Sequence, residues 1–445
     1  MKKKFTLLAL SWGVAWLIAG VVLGTLKYRQ ISYPVYFVLP LAVLAGVGWI
    51  PASFVLLLVK AETRNWRLGW TAIYLALIGL LFGGPAAWRN YYETPRDGGP
   101  YLVNSADPKT TMTVCWSAKT EVPGQVNYTR EGTADWKTVS CAATHYPKVR
   151  LEGLEAGTAY RYRVPALGAD EHVFRTAPAA PEDFSFAVYG DSHVGSLSFH
   201  RSVLRAIERE EPSHGGFSLL FNCGDLVDNS GKGYGWQWHT LLRDIVPLAA
   251  SRPYEVSMGN HDPGGTPECY GQFFNYGTPT HWRVLDYSGV RFIVLSTQDS
   301  LNSNSPQYAW LVNTLDSPPA DTRFTVVVLH NPLVTYDPGT KNEADRRALL
   351  EPLFHAKGVN IVFAGHVHAY EHHWLSGFDH VITGGGGKLL WTRPVFGPET
   401  VKTETCWHFC AVDVKDKTMS VRAIRADGTL LDAFEIFSKK ITLTH

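Results

Sequence analysis

The chain has 445 residues, 45% of them hydrophobic and 18% charged, which is long enough for two or three domains with separate cores. Its 41 lysines and arginines nearly balance 40 aspartates and glutamates, and a net charge of +1 excludes a general nucleic-acid surface. Composition shifts sharply near residue 92. Before that point lie three apolar stretches, Phe5 to Leu26, Val35 to Val59 and Leu68 to Trp88, with no charged residue inside any of them. Each reaches the roughly 20 residues that let a helix cross a bilayer, so residues 1–92 are predicted to form three transmembrane helices. The lack of internal charge argues against an ion or proton pathway through them. Lys2, Lys3, Lys4, Lys60, Arg64 and Arg67 flank one side, against Lys27, Arg29, Arg89 and Arg96 on the other, which predicts a cytoplasmic N-terminus. Everything after residue 92 then lies outside the cytoplasm, in a periplasmic or extracellular position. The same side results if the first stretch is a cleaved signal peptide. Tyr91 to Pro100, rich in glycine and proline, reads as the linker that follows.

Residues 98–178 come next and alternate apolar and polar positions over short runs. Met112, Val114 and Trp116 are followed by Val126 and Tyr128, then Val149 and Leu151, then Tyr160, Tyr162 and Val164. This period of two predicts a small all-β sandwich. Six cysteines suit an oxidising compartment. Cys115 and Cys141 share the sandwich region and make the best disulfide candidate. Cys406 and Cys410, four apart in a predicted strand, are held roughly 13 Å apart, too far to bond each other. One of them could instead reach Cys269. Cys223 is expected as a buried thiol.

From residue 183 onward, five short motifs each follow an apolar run of strand length. The runs are Phe184 to Tyr189, Phe217 to Phe221, Tyr254 to Ser257, Phe324 to Leu329 and Val359 to Ala364. The motifs are Asp191-Ser192-His193, Gly224-Asp225, Gly259-Asn260-His261-Asp262, His330 and Gly365-His366-Val367-His368. Amphipathic segments between the runs predict βαβ units, so the motifs collect at strand C-terminal ends, where such sheets bind ligands. Any single motif of this kind is commonly turn chemistry, but five in this order are not. Carboxylate, amide oxygen and imidazole donors suit hard to borderline divalent cations, and a pair of cations needs a shared ligand. Asp225 is the candidate bridge. Asp228, three residues on, reads as a group behind the ligands. Gly384 to Gly387 with Lys388 lacks the spacing and closing Ser or Thr of a nucleotide P-loop and reads as a tight turn beside the site. His372, His373 and His380 read as satisfied histidines.

The motif order resembles the calcineurin-like metallophosphoesterase superfamily over about residues 183–437. The resemblance implies an α/β domain of four layers, αββα, and a metal-dependent phosphoric ester hydrolase, with a phosphomonoester, a phosphodiester or a lipid-linked phosphate as substrate. It implies two divalent ions, with Mn, Zn, Mg and Fe(II) all compatible. Asp191, His193, Asp225 and His368 would hold one ion, and Asp225, Asn260, His330 and His366 the other. A hydroxide bridging the pair would attack the phosphorus. His261 would act on the scissile phosphate, with Asp262 as its orienting partner. The stretch Val149 to Tyr162 resembles the fibronectin type III signature, and its place before a phosphoesterase is similar to purple acid phosphatases. Those enzymes differ in lacking a His in the first motif and in placing a Tyr ligand where this chain has Asp228. The whole chain therefore reads as a membrane-anchored phosphohydrolase whose partners are a phosphoester and the lipid bilayer. The competing reading, an extracytoplasmic scaffold with an inactive domain, expects lost ligands, whereas every ligand position is filled.

Overall fold

The computed structural model describes residues 96–438 except 196–197, 215, 232–234, 264–267, 275–279, 341–343 and 391–394. The chain divides into two units, Met1–Tyr91 and Tyr92–His445. The three apolar stretches fall in the first and lie outside the described residues. Among the described residues, no helix is long and apolar enough to cross a membrane.

Seven strands build the first part of the second unit: β1 (Gly98–Val103), β2 (Met112–Ser117), β3 (Val122–Arg130), β4 (Lys137–Thr144), β5 (Lys148–Leu151), β6 (Ala159–Arg163) and β7 (His172–Arg175). They form two antiparallel sheets, ordered β1-β2-β5 and β4-β3-β6-β7. Alternate side chains point inward because successive residues of a strand face opposite sides. Every alternating apolar residue named above, from Met112 to Val164, lies in the core between these sheets. Cys115 is the exception on its strand. It faces away, toward the helices of the next domain, while Cys141 packs against the sandwich core. The expected Cys115–Cys141 disulfide is therefore corrected: both are thiols, Cys115 on β2 of the three-stranded sheet and Cys141 on β4 of the four-stranded sheet, packed against different cores. Cys223, Cys406 and Cys410 are thiols as well, with Cys223 fully buried. The Cys269 side chain lies outside the described residues.

The larger part runs β8 (Phe184–Tyr189), α1 (His200–His214), β9 (Leu219–Asn222), α2 (Gly235–Ala249), β10 (Tyr254–Val256), α3 (Glu268–Phe274), β11 (Arg283–Tyr287), β12 (Val290–Val294), α4 (Pro306–Asp316), β13 (Phe324–Val328), α5 (Ala344–Ala356), β14 (Ile361–Ala364), β15 (Tyr370–Leu375), β16 (Phe378–Thr383), β17 (Thr400–Glu404), β18 (His408–Lys415), β19 (Thr418–Arg425) and β20 (Leu430–Phe437). One sheet is ordered β10-β9-β8-β18-β19-β20 and the other β11-β12-β13-β14-β16-β15-β17. Phe186, Val188 and Phe221 of the first sheet pack against Phe292, Val326 and Phe363 of the second in a shared core. Helices α1 and α2 cover the outer face of the first sheet, and α4 and α5 that of the second. The strands buried on both faces are continuous apolar runs, as parallel strands covered by helices must be.

The sandwich is joined to this domain by polar contacts that apolar packing alone would not orient. Tyr162 donates its hydroxyl proton to the Ala250 carbonyl (2.6 Å) and Tyr101 does so to Phe273 (2.6 Å). The buried Glu255 carboxylate accepts from the Asn104 backbone N–H (2.8 Å) and pairs with Arg283. Leu102 of β1 also forms a parallel bridge with Pro253, just before β10.

Candidate metal centre

Strands β8, β9 and β10 of one sheet and β13 and β14 of the other all end at the same edge, and each releases one motif there. The loops after β8 and β9, and those after β13 and β14, stay paired past the strands. Asp191 N–H donates to Gly224 O (2.9 Å), His193 N–H to Asp225 O (3.0 Å) and Gly365 N–H to His330 O (2.9 Å). A Cβ on Gly259 would stand 2.2 Å from the Asp225 carboxylate oxygen Oδ1, so only glycine lets that loop approach. Asp191, His193, Asp225 and His366 have φ of 62°, 42°, 53° and 73°. Left-handed backbone is costly for residues with a Cβ and clusters at functional sites, where the surrounding structure enforces it.

The enforced geometry divides the side chains into two sets around Asp225. Its Oδ2 faces His193 Nε2 at 3.2 Å, while its Oδ1 faces His330 Nε2 at 3.4 Å. On the first side, donor atoms of Asp191, His193 and His368 lie within 4.8 Å of one another; on the second, those of Asp225, His330 and His366 do. Asn260 completes the second set, its Oδ1 lying 3.0 Å from both His330 Nε2 and His366 Nδ1. The structure thus brings all seven expected ligands together.

Electrostatics suit cations here. Burial pushes Asp191 up to about 7, and it also pushes His366 down to about 4 and His368 to about 2, which leaves their nitrogen lone pairs available. Burial opposes a charge on His330 too, yet the Asp225 carboxylate outweighs it and raises His330 to about 9. Asp225 is held well below its usual value: burial opposes this, but His330 and His193 prevail. The cluster therefore draws positive charge inward, and a metal would compete with protons for the same lone pairs. Carboxylate, imidazole and amide donors in two sets sharing one carboxylate fit two divalent ions.

Two groups outside the ligand set hold it in place. Asp228 Oδ1 lies 3.2 Å from His193 Nδ1, which turns His193 Nε2 toward Asp225. His330 Nδ1–H donates to the Cys223 carbonyl (2.9 Å), which turns its Nε2 the same way. His261 stands at the rim with its side chain 36% exposed, its Nε2 3.9 Å from Asp225 Oδ2. The expected pairing of His261 with Asp262 is corrected. His261 Nδ1 is bonded to the Asp228 carbonyl (2.7 Å), whereas Asp262 is fully buried and accepts backbone N–H groups of Asp225 (3.0 Å), Leu226 (2.8 Å) and Gly259 (2.8 Å). A carboxylate with two oxygens can satisfy several converging amides at once, and that occupies it here.

His372, His373 and His380 lie away from the two sets, bonded to Asp379 and Asp432, to Glu371, and to the Leu333 N–H respectively. Lys388 does more than close a tight turn. Its ammonium pairs with Asp228 at the back of the site. The signal that could have found it is strand β16, which runs parallel to β14 and so ends at the same edge.

Comparison with known proteins gives the class. Residues 184–370 match the family model described as calcineurin-like phosphoesterase. The chain is 28% identical over 266 residues to purple acid phosphatase 18 of Arabidopsis thaliana, covering 56% of this chain and 58% of that one. It is 29% identical over 248 residues to purple acid phosphatase 1 of Ipomoea batatas, covering 50% of each. The chain thus spans little more than half the length of these relatives. Among solved structures, the purple acid phosphatase PPD1 from yellow lupin superposes with a TM-score of 0.68 at 18% identity, over 78% of this chain and 75% of that one, a likeness of fold. The chain carries a calcineurin-like metallophosphoesterase domain and is homologous to purple acid phosphatases.

Proposed function

We propose that the protein is a metal-dependent phosphoester hydrolase with a two-ion centre bridged by Asp225. The observation that carries the reading is that the two oxygens of one buried carboxylate face two separate imidazole sets. A bound pair of ions would supply an activated water and clamp the phosphate oxygens. Asp225 holds both sets together, and Asp228 and the Cys223 carbonyl fix the tautomers of His193 and His330. His261, anchored through Nδ1, presents Nε2 at the rim, where it can hydrogen-bond the phosphate or give a proton to the leaving oxygen. Asp225→Asn should abolish hydrolysis and strip both ions, because one lost carboxylate weakens two sites. His261→Ala should retain the ions and lose turnover. Metal analysis of both purified variants, with a panel of phosphomonoesters, diesters and lipid phosphates under each candidate metal, tests this. Full activity in Asp225→Asn would remove the assignment.

We read the sandwich, with its three- and four-stranded sheets, as fibronectin III-like, supported by the signature from Val149 to Tyr162. We read residues 1–92 as the membrane anchor, supported by three charge-free apolar stretches and the flanking lysines and arginines. The catalytic part would then act at the outer face of the membrane, on a phosphoester near the bilayer.

A further inference from the structure

The loop after β16 crosses from one sheet to the ligand loop of the other and is stitched to it. Gly386 N–H donates to Gly190 O (2.8 Å), Phe199 N–H to Gly387 O (2.7 Å) and Lys388 N–H to Asp191 O (3.1 Å). The Trp407 indole N–H donates to the Lys388 carbonyl (2.9 Å), and its ring stacks on Phe199 at 3.8 Å. A Cβ on Gly386 would stand 2.1 Å from Gly190 O, so the glycine run is what lets the loop lie this close. The result is a lysine whose side chain is only 13% exposed, with its ammonium on Asp228 Oδ1. The same oxygen faces His193 Nδ1. One residue therefore grips the backbone of Asp191 and, through Asp228, the ring of His193.

We propose that Lys388 is a positioning residue for the metal held by Asp191, His193 and His368, an inference that rests on the two-ion reading. Asp228 accepts the His193 Nδ1 proton and so leaves Nε2 as the metal donor. Asp228 also has another imidazole within reach, since its carboxylate lies with His193 and His261 atoms inside 4.8 Å, a group separate from the Asp191, His193 and His368 set. An unpinned carboxylate can turn away from His193 toward His261 and release the imidazole from its fixed orientation. The Lys388 ammonium supplies the competing partner that keeps it turned to His193. Its two grips both act on the set of Asp191 and His193, so the effect belongs to one ion of the pair.

The test is metal affinity, measured in the full chain by competition with a chelator for Mn²⁺ and for Zn²⁺. Wild type should bind two ions. Lys388→Met should bind one at wild-type affinity and the other about 10- to 100-fold more weakly, the range seen when a group behind a ligand is removed. Lys388→Arg should restore most of the loss. Asp228→Asn should reproduce it, which covers the case in which Lys388→Met does not fold. A lysine that only pins the loop would lower the melting temperature and leave both affinities unchanged, or weaken both equally. Either outcome overturns the proposal. If wild type binds no pair of ions, the two-ion reading itself fails, which is a separate result.

Discussion

Asp262 ties together the two loops that carry Asp225 and Asn260, accepting N–H groups from both while fully buried. Burial, and then the neighbouring Asp225 charge, push its carboxyl up to about 7, so its hydrogen bonds work against a desolvation cost. An amide in its place would turn an N–H₂ toward backbone donors and leave at least one buried N–H without an acceptor. Asp262→Asn should therefore cost about 2 kcal/mol of stability, read as a lower urea midpoint with unchanged slope, before any effect on turnover. A variant of normal stability with a selective loss of kcat would instead restore Asp262 as the orienter of His261. The sequence made the donors legible, because their type and order are local. It could not show that Asp262 spends both oxygens on backbone, since that depends on how two loops 37 residues apart meet in space.

At the scale of elements, the strands that deliver the motifs were legible because they are buried on both faces and so appear as unbroken apolar runs. Phe184–Tyr189 matches its run end to end, while β9 begins two residues late at Leu219 because Phe217 packs in the helix-side core before pairing starts. The strands from β15 to β20, antiparallel to one another where they pair, carried no comparable signal, and their most informative contact joins strands of different sheets. His372 on β15 bonds through Nδ1 to Asp432 on β20 (2.9 Å) and through Nε2 to Asp379 on β16 (2.9 Å), with its ring 4.1 Å from Phe434. Tyr370 also donates to Asp432 (2.8 Å). Both nitrogens donate only in the imidazolium form. Burial opposes that charge, but the two aspartates outweigh it and raise His372 above its ordinary value. The contribution to stability is thus full below about pH 6.5, the unfolded value, and fades as pH rises through the higher folded value. His372→Gln should cost about 3 kcal/mol near pH 6, with the gap narrowing as pH rises through the raised folded value. Denaturant midpoints across that range check it, and a gap that stays constant with pH would show that His372 is neutral in the fold.

At the scale of the whole molecule, the membrane-anchor reading makes the sharpest claim. A single cysteine placed at the exposed Asp97, just ahead of β1, should react with a membrane-impermeant thiol reagent on intact cells. The charge imbalance that predicts this is six residues against four, so the direct measurement outweighs it. Absence of labelling in intact cells, with labelling after lysis, would place the domain in the cytoplasm.

The bridge between Leu102 and Pro253 brings together two strands that are each last in their sheet, β1 and β10. An edge strand carries a row of backbone groups ready to pair with any other chain, and proteins protect such edges. Here each edge shields the other, and the Asn104 N–H finds the Glu255 side chain rather than a foreign carbonyl. The sandwich therefore guards the β10 edge of its neighbouring sheet against self-association, and a domain released from it would expose a sticky margin beside the candidate metal-binding loops.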